Sequence, residues 1–220
     1  TVNRGPLYVI GNITNDGTIL GEVDNGPGFA GGDEPAAGDG FRVSGDYIAG
    51  ASASLYMAHE NWQMAVGGNV DIAINDHDRF IMDEATLAMT GESGSVQSLE
   101  AMSLDVGSST IGIDRTLDGH FPLGVLVIEA GTEVTVVDNH DNAGGNETMY
   151  VKHLVIEAGS VFVTGDRTIW YETVDNNGTV IGDIDVIKEP CPGDGDGDGE
   201  VDIDDLLTVI GNFTCTGICD

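Results

Sequence analysis

Apolar and polar residues alternate along much of this chain with a period of two. Glu133-Val134-Thr135-Val136 and Val161-Phe162-Val163 are clear cases, and similar short runs recur between glycine turns. A period of two sends successive side chains to opposite faces, so each run predicts a half-buried β-strand. The runs also repeat. Ile128-Glu129-Ala130-Gly131 returns 28 residues later as Ile156-Glu157-Ala158-Gly159, preceded both times by Leu-Val; a weaker copy, Leu104-Asp105-Val106-Gly107, lies 24 residues before the first. A second echo links Asn15-Asp16-Gly17-Thr18-Ile19-Leu20 with Asn176-Asn177-Gly178-Thr179-Val180-Ile181. Units of this length, each a strand or two and a turn, cannot bury an apolar face singly, whereas stacked they share one core. The pattern therefore predicts an all-β fold, a parallel β-helix over residues 1–188 with about 25 residues per coil and roughly seven coils. An antiparallel β-sandwich, also made of short strands and glycine turns, is the alternative. The Ala- and Met-rich stretches 51–66 and 81–89 fit a helical turn or β-coils with small inward residues. Residues 24–40, rich in Gly, Asp and Pro, predict a protruding loop.

Residues 189–220 form a separate small module in this reading. Its core is Asp194-Gly195-Asp196-Gly197-Asp198-Gly199-Glu200-Val201-Asp202-Ile203-Asp204-Asp205. Asp194, Asp196, Asp198, Asp202 and Asp205 stand at positions 1, 3, 5, 9 and 12 of a calcium loop. Gly199 permits the turn at position 6, and Glu200 offers its carbonyl at position 7. So many carboxylates repel one another without a counter-ion, so Ca2+ is expected to order the segment. Leu206, Leu207, Ile210 and Phe213 follow at helical spacing and give one buried helix face. With Asp205 where an EF-hand has Glu, and an apolar helix directly after the loop, the segment resembles the type I dockerin repeat. The resemblance implies calcium binding and attachment to a scaffold protein. One loop is present here, where dockerins that bind cohesins carry two. The phrase Asn-Gly-Thr-Ile/Val is similar to repeats in bacterial surface β-helices of the autotransporter type.

Charge narrows the partners. The 38 acidic and 7 basic residues give a formal net charge of −31, which excludes nucleic acid and anionic membrane as natural partners. It suits surroundings rich in divalent cations or salt. A hydrophobic content of 40% excludes wholesale disorder, and runs such as Val125-Leu126-Val127-Ile128 are too short for a transmembrane segment. The chain begins at Thr1 without a visible signal peptide, as expected of a processed, secreted, extracellular or cell-surface product of bacterial origin. Cys191 and Cys215 flank the calcium loop and its helix, so a disulfide between them would close the module. Zinc is the competing use of the thiols, and Cys219 is left over.

Candidate chemistry in the main body is carboxylate chemistry. Asp105, Glu129 and Glu157 hold equivalent places in the three copies, so stacked coils would align them about 4.8 Å apart. Such a ladder serves as a solvated face, a calcium-collecting face or a catalytic pair. Asn75-Asp76-His77-Asp78-Arg79 and Asp138-Asn139-His140-Asp141-Asn142 have the composition of exposed turns and the donors of metal sites. No nucleophile elbow, Walker loop or HExxH occurs. Few cations exist to neutralise an acidic polysaccharide, whereas Trp62, Trp170 and Tyr171 could stack on neutral sugars or serve as core anchors. Asn-x-Ser/Thr triplets at Asn12, Asn146, Asn177 and Asn212 fit secretion. The expectation is a non-enzymatic structural or adhesive protein that self-associates into fibres or binds a surface scaffold. The alternative is a carbohydrate-active or carbohydrate-binding protein carried by its dockerin-like tail. A halophilic protein, acidic for solubility alone, is a third reading.

Overall fold

The computed structural model describes residues 7–20, 39–91 and 96–188. The chain divides into two units, Thr1–Ile187 and Lys188–Asp220. Of the second, only Lys188 is described, and most of the 24–40 loop also lies outside the described residues.

The first unit is nearly all β. Its strands are β1 (Leu7–Val9), β2 (Ile13–Asn15), β3 (Thr18–Leu20), β4 (Asp39–Val43), β5 (Tyr47–Ala49) and β6 (Ser54–Tyr56). Then come β7 (Trp62–Val66), β8 (Val70–Ile72), β9 (Phe80–Met89), β10 (Val96–Glu100), β11 (Ser103–Leu104) and β12 (Leu123–Ile128). The last are β13 (Glu133–Val137), β14 (Glu147–Thr148), β15 (Tyr150–Ile156), β16 (Val161–Asn176) and β17 (Thr179–Val186). Two 3-10 turns, His77–Arg79 and Thr110–Ile113, interrupt them. Among the described residues no helix is long and apolar enough to cross a membrane.

Nearly all the ladders are parallel. One run joins β1, β4, β7, β9, β12, β15 and β16; a second joins β2, β5, β8, β10, β13 and the same long β16, so the sheet is nearly closed. The first half of β9 extends a third ladder, β3 to β6, and β17 pairs along β16. This is consistent with a solenoid or a barrel. An antiparallel β-sandwich does not form: among the described residues the one antiparallel ladder is the short pairing of β11 with β14. Nor do residues 51–66 or 81–89 make a helical turn. They contain β6, β7 and most of β9, with Ala53, Met57, Ala85 and Ala88 buried.

The 28-residue echo is the ladder register itself. Leu126 lies beside Leu154 and Ile128 beside Ile156; Val134 lies beside Phe162. The inward positions stack as columns: Met64, Leu87, Leu126 and Leu154 form one, and Val66, Met89, Ile128 and Ile156 its neighbour, all buried. Each side chain thus packs on its counterparts above and below, which supplies the burial that one turn of chain lacks.

Two kinds of corner join the strands. In the Ile-Glu-Ala-Gly copies, Thr132 N–H donates to Glu129 O and Ser160 N–H to Glu157 O, both at 3.1 Å. Gly131 (φ 76) and Gly159 (φ 78) occupy the third turn position, where left-handed backbone favours glycine. The other corner is Gly-Asx, at Gly11-Asn12, Gly45-Asp46 and Gly68-Asn69. There Asn12 Oδ1 accepts from Asp46 N–H (2.9 Å), Asp46 Oδ1 from Asn69 N–H (2.7 Å) and Asn69 Oδ1 from Ser98 N–H (2.8 Å). Side-chain oxygens thereby continue the ladder where the backbone turns away.

The two other echoes are local. Asn15 Oδ1 accepts from Gly17 N–H and Asn176 Oδ1 from Gly178 N–H, the same Asx turn. The first opens β3 and the second opens β17, which lies on the ladder of β2 and β13, so they are not equivalent corners. Leu104 pairs with Glu147 rather than under Ile128, whose neighbour is Met89.

Candidate functional site

The predicted calcium ligands Asp194, Asp196, Asp198, Glu200, Asp202 and Asp205 lie outside the described residues, as do Cys191, Cys215 and Cys219. Among the described residues no three His, Cys, Asp or Glu side chains gather closely enough to hold a metal ion.

The acidic ladder shrinks to a pair. Glu129 and Glu157 are neighbours across the corner, both half-buried. Burial raises the Glu129 pKa, Arg42 opposes this, and Glu157 adds to it. Glu157 Oε2 accepts from Ala130 N–H at 2.9 Å, so one carboxylate fastens the turn next to its own. Asp105 is elsewhere, accepting from Trp170 Nε1 at 3.1 Å and from Gly107 N–H at 3.0 Å. Trp170 is thereby anchored by its indole N–H, and Trp62 and Tyr171 pack against the core.

Asp76 and its neighbours form the turn their composition suggests. Asp76 Oδ1 caps the short helix by accepting from Asp78 N–H at 3.1 Å, and its Oδ2 pairs with Arg79 Nε at 3.1 Å. A different set surrounds Asp83, whose carboxylate lies between Arg115 Nε at 3.4 Å and Lys152 Nζ at 3.8 Å, with Lys152 also on Glu84 at 2.8 Å.

The most unusual chemistry belongs to the connection from β13 to β14, residues 138–146, which reaches across to β8 and β10 as a strap. Asn139 and His140 N–H donate to Glu100 Oε1 at 2.7 and 2.8 Å. His140 Nε2 lies 2.6 Å from Asp71 Oδ1. Asn142 Nδ2 donates to Ile72 O (2.9 Å) and Ile74 O (2.7 Å). At its end, Glu147 Oε1 accepts from Ala143 N–H at 2.6 Å, and Arg167 Nη2 pairs with Asp138 at 2.9 Å. Asp138, Asn139, His140, Asp141, Gly145 and Glu147 line an open recess of about 350 Å³.

Two carboxyls under this strap are buried beyond their hydrogen bonding. Glu100 and Glu147 are 2% and 3% exposed, and the Oε2 of each has no partner. Burial pushes Glu100 up to about 7, against the opposing N–H groups of His140 and Asn139. Burial likewise raises Glu147, Ala143 N–H opposes it, and the charges of Asp138 and Asp141 add to it. The 138–142 stretch reads in sequence as an exposed turn, yet Asn142 is buried by its bonds to Ile72 and Ile74, and Glu100 and Glu147 do not stand out in the sequence. The signal available was a weak one, a carboxylate placed between Leu99 and Ala101-Met102.

No protein-family model matches the chain, and no curated protein or solved structure matches it.

Proposed function

We propose that the body is a parallel β-solenoid serving a structural, adhesive or assembly role outside the cell. Its C-terminal module, in this reading, is a dockerin-like anchor stabilised by Ca2+. The observation that carries the proposal is the strand pairing: parallel ladders visited in the same order, with continuous aliphatic columns between them. At one end β1, β2 and β3 pair only with β4, β5 and β6 among the described residues; at the other β17 pairs only with β16. Borders of this kind accept another strand of matching register. End-to-end association then follows, the first turn of one copy continuing the last turn of another, a heterologous contact that builds fibres. The charge of −31 opposes such association until cations screen it, which fits a calcium-requiring surface protein.

Light scattering coupled to sizing chromatography, with and without millimolar calcium, tests the assembly. Growth in mass with concentration in calcium is expected, and monomers alone at high concentration overturn it. Calorimetric titration with calcium tests the anchor, where heat together with ordering of residues 191–213 is expected. Neither appearing removes it. Sugar release from plant or algal polysaccharides that is lost in Glu129→Gln or Glu157→Gln would establish the carbohydrate-active alternative instead.

A further inference from the structure

The strap is fastened by a carboxyl group that the fold accommodates poorly. Glu100 ends β10, and its Oε1 takes both backbone donors of the strap, Asn139 and His140. Its Oε2 is buried without a partner. On β8, the register Leu99 beside Val70 sets Asp71 next to Glu100. The charged groups facing Glu100 are therefore Asp71 from β8 and His140 from the strap. Val137, its partner on β13, and the residues that line the same cavity beside it, Phe121, Leu123 of β12 and Thr148 of β14, are uncharged. His140 lies against Asp71 and offsets negative charge there only as imidazolium.

We infer that the strap is a pH-gated latch, closed while Glu100 carries a proton and released as it ionises, baring the acidic pair Glu100 and Asp71. An ionised carboxylate needs water or donors at both oxygens, and the closed strap supplies them to one. The like charge of Asp71 adds to the cost. Lifting the strap admits water to Oε2 and leaves an ordinary solvated glutamate. Burial is the larger influence on this carboxyl, the two N–H donors the smaller, and together they leave its pKa at about 7. The closed strap thus binds the proton more tightly than the open one. Opening consequently increases with pH between the ordinary glutamate value of 4.5 and about 7, and levels off above it.

Hydrogen exchange read by mass spectrometry, expressed as protection relative to intrinsic rates, tests this on the full chain. Protection at 138–142 should fall about tenfold per pH unit across that window while staying below that of Val161–Val163, whose amides open only with the strands around them. In Glu100→Gln, which keeps an acceptor but cannot ionise, protection should stay flat with pH. A flat wild type, or the same decline in the variant, overturns the latch. Should the variant not fold, carboxyl-carbon NMR of the wild type decides: a Glu100 midpoint near 7 supports the latch, and one in the usual carboxylate range overturns it.

Discussion

Single glycines in this protein are required for two different physical reasons. Gly159 has φ 78, and an added Cβ would meet nothing nearer than 3.9 Å, so alanine there suffers backbone strain alone. Gly68 has ordinary backbone, but a Cβ would lie 2.6 Å from Gly45 C and 2.8 Å from Asp46 N. Gly159→Ala should cost about 1–2 kcal/mol, with Gly159→Asn recovering part, since asparagine tolerates left-handed backbone. Gly68→Ala should cost more, with no recovery by asparagine, because the obstruction is the neighbouring chain. Urea unfolding midpoints distinguish the two. Legibility at this scale followed sequence distance. The Glu-Ala-Gly turns were visible because glycine, its turn and its strand are contiguous, although the repeat of Glu129 and Glu157 reflects corner geometry as much as acidic chemistry. Glu100 was invisible as a latch because its donors lie 39 and 40 residues away.

Strands here derive their stability from columns rather than from their own length. Leu126 sits between Leu87 and Leu154 and is fully buried, so Leu126→Ala opens a gap shared by three turns of chain. A loss of about 2–5 kcal/mol is expected, measured as a lower urea midpoint, and a loss below 1 kcal/mol would mean the column is not a structural unit. Parallel strands and shared columns were predictable from the 28-residue echo because β12 to β13 and β15 to β16 have equal connections. Elsewhere chain is inserted between equivalent strands: from β10 to β13 the path runs through β11, Thr110–Ile113 and β12, and the period disappears from the sequence. The Gly-Asx corners at Gly11, Gly45 and Gly68 went unread for that reason, although they carry the Asn12-Asp46-Asn69 hydrogen bonds. Leu104-Asp105-Val106-Gly107 misled in the opposite sense, copying the letters of a corner while pairing with β14.

The whole molecule should be most stable in mild acid. Glu100, Glu129 and Glu147 all have pKa values raised by burial, so each binds its proton more tightly folded than unfolded. Their contribution is complete below the unfolded value and is lost as pH rises, for Glu100 between 4.5 and about 7. For Glu100 alone that amounts to on the order of 3 kcal/mol. Self-repulsion of a chain at −31 acts in the same direction. Urea midpoints measured from pH 5 to pH 8 should therefore decline, and Glu100→Gln should flatten the slope; a rise over that range would contradict the assignment of these carboxyls. Finally, β1, β2 and β3 are joined to the rest through β4, β5 and β6, and those strands present the same parallel border one step further along. Wear at this terminus is accordingly graded. Under the proposed end-to-end association, a copy that has shed residues 7–20 would still present a border of three parallel strands to its successor, so damage would shorten such a molecule without disqualifying it.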